Sequence, residues 1–361
     1  MARIDLVELS HAYALNPQRR EDYALHKLTM TWEDGGAYAL LGPSGCGKTT
    51  LLNIISGLVK PSTGRVLFNG QDVTLLHPQQ RNIAQVFQFP VIYDTMTVAD
   101  NLAFPLRNRG WGAAETRKRV EEIAEILELT GDLKNRASGL SADAKQKISM
   151  GRGLVRPDVA AVLFDEPLTT IDQHLKWTLR RKLKQIHAQL KLSLIYVTHD
   201  QVEAMTFADK VVVMYGGEVV QLGSPQDLFE QPAHTFVGFF VGSPGMNLMP
   251  CRIEGGSAVV GEVRIPLDPG TAQRAGQASG KLTLGIRPEF VELARPGAPD
   301  SVPSPIERVE DLGNYKIVTA RLGEQVVMAK VSEDEAVSSG TAHLRFPPQW
   351  TRIYADDRSL A

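Results

Sequence analysis

Ala37-Tyr38-Ala39-Leu40-Leu41-Gly42-Pro43-Ser44-Gly45-Cys46-Gly47-Lys48-Thr49-Thr50 is the stretch that decides the fold. From Gly42 on it fits G-x-x-x-x-G-K-[ST], the Walker A pattern. The apolar run Ala37 to Leu41 predicts a strand feeding the loop, and Thr50 to Leu58 predicts a helix leaving it. Gly42, Gly45 and Gly47 let the backbone curl so that several N–H groups point at one anion. The helix N-terminus adds the positive end of a dipole. In this reading Lys48 reaches the β- and γ-phosphates of a nucleotide and the Thr49 hydroxyl holds Mg²⁺. Pro43, Ser44, Cys46 and Thr50 complete the cradle. A glycine-rich turn with a chance lysine would not require strand, loop and helix in this order.

The bulk composition bounds the rest. The chain has 361 residues, room for one large or two ordinary domains. Hydrophobic residues make up 43% and charged residues 22%, the mix of a water-soluble globular protein. A formal net charge of −2 gives no general electrostatic affinity for nucleic acid or anionic lipid, so no nucleic-acid partner is expected. The two cysteines, Cys46 and Cys251, are far apart and do not form a disulfide framework, and a reducing cytosol is the expected setting. No apolar run is long enough to span a bilayer, and Met1 to Asp5 lacks the apolar core of a signal peptide. A protein of this kind would work at a membrane only as a peripheral subunit.

Along the chain, Ile4–Leu9 and Lys27–Trp32 predict strands on either side of a charged connection, Asn16–Asp22. Further strands are predicted over Arg65–Phe68, Asn82–Phe87, Ser193–Val197 and Lys210–Met214. Val159–Phe164 is a continuous apolar run, the pattern of a buried parallel strand. Thr97–Leu106 and Ala114–Leu129 predict helices, the second with Val120, Ile123, Ala124 and Leu127 on one face. Leu175, Leu179, Ile186 and Leu190 stripe another helix, whose Arg180-Arg181-Lys182 cluster is expected to be a solvated face rather than a nucleic-acid contact. Alternating strands and helices predict an α/β core. Beyond Pro244 the pattern changes to short runs separated by Gly and Pro: Ala258–Val263, Lys281–Ile286, Tyr315–Ala320 and Val326–Val331. These predict a small all-β domain, with Gly270–Gly280 and Ala294–Pro305 as loops.

Val162-Leu163-Phe164-Asp165-Glu166-Pro167 has the form of a Walker B strand. It places two carboxylates at the C-terminal end, where ligands of open α/β sheets bind. Asp165 suits the Mg²⁺ shell, and Glu166 suits a general base or water-orienting role beside the γ-phosphate. With Val86-Phe87-Gln88, Thr170-Ile171-Asp172 and Val197-Thr198-His199-Asp200, the chain resembles the ATP-binding cassette (ABC) ATPases from end to end. The resemblance implies a Q-loop at Gln88, which senses Mg²⁺ and links to a helical subdomain. It implies a D-loop at 170–172 and a switch histidine at His199 that steadies the γ-phosphate. Tyr13 stands where the family stacks an aromatic ring on adenine; an ordinary surface tyrosine is the other reading.

The second region extends the likeness. Gly242-Ser243-Pro244-Gly245-Met246-Asn247, Leu284-Gly285-Ile286-Arg287-Pro288-Glu289 and Glu310-Asp311-Leu312-Gly313 resemble the C-terminal β-domain of importer ATPases of the maltose, sugar and glycerol-phosphate branch. The implied architecture is a P-loop cassette over 1–240, made of a RecA-like α/β core with a helical subdomain over about 90–151. A small OB-like (TOBE) all-β domain for dimerisation and regulation follows over 241–361. The implied assembly is two ATPases beneath two integral-membrane permease subunits at the cytoplasmic face of the membrane, served indirectly by an extracytoplasmic solute-binding protein.

One motif departs from the family. The signature Leu-Ser-Gly-Gly-Gln is Leu140-Ser141-Ala142-Asp143-Ala144 here. The motif acts in trans, its serine and helix N-terminus clamping the γ-phosphate held by a partner's Walker A. Ala142 and Asp143 add side chains where glycines permit close approach. A carboxylate about 4 Å from a like charge is repelled by about 4 kcal/mol at an effective dielectric near 20. Ser141 and Asp143 therefore frame a degenerate trans site, whereas Lys48, Thr49, Gln88, Asp165, Glu166 and His199 are all present in cis. The expectation is a heterodimer with a second, unlike ATPase, giving one efficient and one degenerate composite site. The alternatives are a homodimeric sugar-importer ATPase and a non-hydrolysing regulatory subunit, against which Glu166 and His199 argue. A soluble ABC protein of translation or DNA repair would carry two cassettes or a long coiled-coil insertion, and neither is visible. Among solutes, glycerol or a related polyol is expected first and a sugar second.

Overall fold

The run Ala37–Leu41 forms a strand with all five residues buried, as expected of a segment covered on both faces. It lies within a computed structural model that describes residues 2–169, 171, 173–337 and 340–360. Thr170 and Asp172 of the expected D-loop, and the side chains of Leu175 and Leu190, lie outside what is described. The chain divides into two compact units, Met1–Pro225 and Gln226–Ala361.

The first unit runs β1 (Ile4–Ala12), β2 (Tyr23–Trp32), β3 (Ala37–Leu41), α1 (Lys48–Ser56), β4 (Thr63–Phe68), β5 (Gln71–Asp72) and β6 (Ala84–Val86). Three helices follow, α2 (Val98–Arg107), α3 (Ala113–Ile126) and α4 (Ala142–Leu154). The unit closes with β7 (Val162–Asp165), α5 (Gln173–Leu190), β8 (Leu194–Thr198), α6 (Gln201–Phe207), β9 (Lys210–Tyr215) and β10 (Glu218–Gly223). A six-stranded sheet in the order β10-β9-β3-β8-β7-β6 is parallel except for β10. A four-stranded antiparallel sheet, β2-β1-β4-β5, accompanies it. One core joins them: Leu6, Leu25 and Trp32 pack with Leu40, Leu51, Ile54 and Leu163. Each such side chain contributes about 1.5–3 kcal/mol through burial.

Helices α2, α3 and α4 pack on one another. Thr97 caps α2 by accepting the Asp100 amide at 3.1 Å. The apolar face of α3 is buried at Val120, Ile123 and Ala124, as the spacing predicts. On α5 the predicted stripe is buried at Leu179 and Ile186. The solvated-face reading of its basic cluster fails at Lys182, which is largely covered and paired with Glu128.

In the second unit, Met249, Leu284, Ile286, Val318, Ala329, Leu344 and Phe346 share a core between short antiparallel strands. Three expectations are corrected here. Ala258–Val263 is not one strand but two, Ser257–Val260 and Val263–Pro266, reversing at Gly261 with φ +60°. The segment Gly270–Gly280 is not a loop but lies mostly within a helix, Pro269–Gln277. Asp268 caps it by accepting the Gly270 and Thr271 amides, and proline at the first turn costs no hydrogen bond. Ala294–Pro305 is not a free loop either. Ser301–Asp311 is a strand, and its prolines at 303 and 305 fall where it pairs on one side only, before pairing with Tyr315–Leu322 begins at Ile306.

Candidate functional site

Parallel register assembles the site. Leu41 at the end of β3 lies beside Thr198 at the end of β8, and Asp165 at the end of β7 lies beside Val197. The phosphate loop, the Asp165-Glu166 pair and His199 therefore leave the sheet along one edge, its carboxyl end.

The loop is shaped by close approach. A Cβ at Gly42 would overlap the Met214 carbonyl. Gly47 stands at φ +98°, where a Cβ would come within 2.5 Å of the Ala24 carbonyl. Lys48 opens α1, and its buried Nζ donates to the Gly42 and Pro43 carbonyls at 2.9 Å each, with Cys46 Sγ at 3.8 Å. The ammonium is thus held inside the loop it serves. The far end of α1 is fixed by a residue that sequence reasoning missed. Buried Arg81 donates to the Ile54 and Ile55 carbonyls at 2.7 and 3.0 Å, and also to those of Thr74 and Leu76. Nothing near Arg81 in sequence announces this.

Thr49 Oγ1 lies 3.3 Å from Asp165 Oδ1. Burial, helped by the neighbouring Glu166 charge, raises the Asp165 pKa, and the Thr49 hydroxyl partly opposes the rise. Two hard oxygen donors so placed fit Mg²⁺, which takes one or two protein oxygens and completes its shell with phosphates and water. No group of three His, Cys, Asp or Glu side chains forms a self-sufficient metal cage among the described residues. For a polyphosphate, the bare glycine at the α1 N-cap and the absence of acid in its first turn fit equally well.

Glu166 has φ +47°, a left-handed conformation that a non-glycine residue adopts only under constraint. Its amide donates to the Val197 carbonyl at 3.0 Å. One carboxylate oxygen, Oε2, faces His199 Nδ1 at 3.1 Å and accepts from the Thr169 hydroxyl at 3.2 Å. Thr169 was also missed, although its place three residues past Glu166 was a usable signal. Gln88 is half-buried just beyond β6, and the carbonyl of its neighbour Phe87 accepts from Gln146 Nε2 at 3.4 Å. The same amide donates to the Pro167 carbonyl at 2.8 Å, so fully buried Gln146 on α4 bridges the Gln88 and Glu166 segments. Tyr13 is 66% exposed, with its hydroxyl 3.1 Å from Thr50 Oγ1 on α1 and its ring against the edge of His11. Most of the ring is therefore exposed, beside a residue that directly follows the phosphate loop.

Ser141 and Asp143 are engaged within their own helix. Ser141 caps α4, its hydroxyl accepting the Ala144 amide at 3.3 Å. Asp143 Oδ2 pairs with Lys147 Nζ at 3.3 Å, one turn along, while its buried Oδ1 has no hydrogen-bond partner among the described residues. Lys147 also faces Glu128, which pairs with Lys182 of α5. The Asp143 charge, expected to face outward at a phosphate, is partly neutralised from within.

Residues 25–169 match the family model described as "ABC transporter", and residues 242–291 match "MalK OB fold domain". The chain is 41% identical over 331 residues to the sn-glycerol-3-phosphate import ATP-binding protein UgpC of Escherichia coli O157:H7, covering 91% of this chain and 92% of that protein. Its counterpart in E. coli strain K12 is 42% identical over 317 residues, covering 87% and 88%. Among solved structures, cbiO1 of Clostridium perfringens, part of the ABC transporter complex cbiONQ, superposes with TM-score 0.58 at 26% identity. The superposition covers 63% of this chain and 90% of that one.

Proposed function

The chain belongs to the ABC transporter family, as the ATP-binding and hydrolysing subunit of an importer of the maltose, sugar and glycerol-phosphate branch, and from that premise we propose how its residues divide the work. The observation that carries the reading is the convergence of Lys48, Thr49, Asp165, Glu166 and His199 on one sheet edge.

Lys48 exchanges its carbonyl partners for β/γ-phosphate oxygens, and the loop amides and α1 N-terminus bind the remaining charge. Thr49, Asp165 and Gln88 would hold Mg²⁺, which would supply positive charge to offset that of the transferring phosphoryl group. Glu166, oriented by His199 and Thr169, holds the attacking water in line. His199 also steadies the γ-phosphate, and Tyr13 stacks on adenine. Substituting Glu166→Gln removes the negative charge and the basic oxygen and should abolish turnover while ATP binding persists. Normal turnover in that variant would overturn the assignment.

Two such ATPases act beneath two permease subunits at the cytoplasmic face of the membrane. No helix among the described residues is long and apolar enough to cross a bilayer, which fits peripheral attachment. A cavity of about 510 Å³ beside α2 and α3 combines apolar Ala103, Trp111, Val120 and Leu133 with charged Arg107, Arg117, Glu121 and Lys134, which suits an amphipathic helix of a permease. The expected solute is small and polyhydroxylated, with glycerol or a related polyol first and a sugar second. The named function of the sn-glycerol-3-phosphate import relatives supports that class.

The altered signature supports pairing with an unlike ATPase whose intact motif completes the site built on this chain's Walker A. A second reading, a homodimer, is favoured by the Asp143–Lys147 ion pair, which removes part of the electrostatic objection to two copies of this signature. Purifying the importer from its native membrane decides between them: two ATPase species support the heterodimer, and one species defeats it.

A further inference from the structure

The switch region holds a buried carboxylate that the hydrolysis described above does not use. Glu203, in the first turn of α6, is 3% exposed. Its Oε2 accepts from the Tyr196 hydroxyl at 3.0 Å and the Thr198 hydroxyl at 2.8 Å. Its Oε1 faces Lys176 Nζ, on the first turns of α5, at 3.8 Å. A charge buried this deeply is costly unless donors surround it. Here two hydroxyls from one strand donate to it, and an ammonium on a neighbouring helix faces it.

Bonds of the residues on either side of His199 hold its turn in place, while its ring stays half exposed. The Thr198 hydroxyl that donates to Glu203 accepts the Asp200 amide at 3.0 Å. Asp200 Oδ1 in turn accepts the amides of Val202 and Glu203 at 2.8 and 3.1 Å, capping the helix that carries Glu203. The turn Thr198-His199-Asp200 is thereby tied at both ends, and Glu203 closes the ring. From this turn His199 presents Nδ1 to Glu166 at 3.1 Å. Tyr196 is a dependable donor, because burial, with the Glu203 charge beside it, pushes its pKa well above the ordinary tyrosine value. A glutamate side chain can place one oxygen on the two hydroxyls and turn the other toward the ammonium. A glutamine must turn its NH₂ either toward the two hydroxyl donors or toward Lys176.

We propose that Glu203 is a positioning residue for ATP hydrolysis, fixing the turn that aims His199 at Glu166. This rests on the roles given to His199 and Glu166 under Proposed function. The juxtaposition also links the switch turn, through Lys176, to the helix that follows residues 170–172.

The test is a double-mutant cycle on the assembled importer, reading kcat and KM for ATP in wild type, E203Q, H199A and E203Q/H199A. E203Q should lower kcat about tenfold and leave KM for ATP within about twofold, because the phosphate loop is untouched. In the H199A background E203Q should change kcat no further, since Glu203 acts only through His199. Tyr196→Phe, which removes one donor and keeps the ring, should lower kcat by a smaller factor with the same non-additivity. It carries the test if E203Q fails to assemble. Multiplying effects in the double variant, or unchanged kcat in both E203Q and Y196F, would overturn the proposal while leaving His199 in place. Unchanged kcat in H199A alone would instead remove the His199 assignment, and the proposal with it.

Discussion

Two helices of this molecule, α1 and α4, treat the same N-terminal dipole in opposite ways. Helix α1 begins at a bare glycine, Gly47, with no acid in its first turn and a lysine folded over its own loop. Helix α4 begins at Ser141, whose hydroxyl already accepts an amide, and carries Asp143 in its first turn. Each terminus offers about half a positive charge. The first leaves it open for an external anion. The second fills it with an internal one, which stabilises the helix by about 0.3–1 kcal/mol, with the Asp143–Lys147 pair adding about 0.2–0.5 kcal/mol. The open end and the self-satisfied end thus differ in side chains and in cap backbone, which is left-handed at Gly47 (φ +98°) and extended at Ser141 (φ −63°).

That contrast can be broken at the open end first. Lys48→Ala removes the only cation inside the loop and should reduce ATPase kcat by about 10²–10³, the loss typical of one preorganised electrostatic donor. A loss under tenfold, measured by steady-state phosphate release, would mean the loop amides and helix dipole suffice alone. At the closed end, the double substitution Ala142→Gly and Asp143→Gly restores the family's glycines. It should raise turnover at the composite site that uses this signature by about tenfold, equivalent to about 1.4 kcal/mol of transition-state stabilisation. The readout is ATPase of the importer with its other composite site silenced, and no gain would show that Asp143 is not what disables the clamp.

Ser141→Ala should cost about 1 kcal/mol as a lost cap, lowering the melting temperature of the first unit by about 2–4 °C. An unchanged melting curve would mean water replaces the hydroxyl. The smallest effect concerns Asp165. Its pKa is raised by burial, so the folded state holds that proton more tightly than the unfolded chain. From this group, stability without nucleotide is lost as pH rises from the ordinary carboxylate value through the raised one, while Mg²⁺-dependent ATP binding is gained over the same window. Asp165→Asn should therefore raise the nucleotide-free melting temperature at neutral pH and weaken the Mg²⁺ dependence of ATP binding. A lower melting temperature would contradict the burial argument.

Much of the cassette was legible in the sequence because its signals are local. The five apolar residues before Gly42, the spaced glycines and the lysine each act on neighbours in the chain, and the Val162–Asp165 strand with Glu166 behaves likewise. The second unit was less legible where local signals conflict. Pro269 reads as a loop breaker until Asp268 is seen to cap a helix through it. Pro303 and Pro305 read as loop until the strand is found to pair on one side only there. Around the site, Arg81 beneath α1 and Gln146 between Phe87 and Pro167 lie dozens of residues from at least one group they hold.

The sequence by itself determined which residues could hold a nucleotide, because φ above zero, a strand-to-helix turn and a lysine at its end are short-range requirements. It also determined that the signature glycines are absent. Only the tertiary structure decided where the remaining charges point. Asp143 turns to Lys147 rather than outward, and Glu203 closes around Tyr196, Thr198 and Lys176. A buried charge takes its partners from whatever the packing brings within about 4 Å, and that set is fixed by parallel register and helix docking rather than by neighbours in the chain.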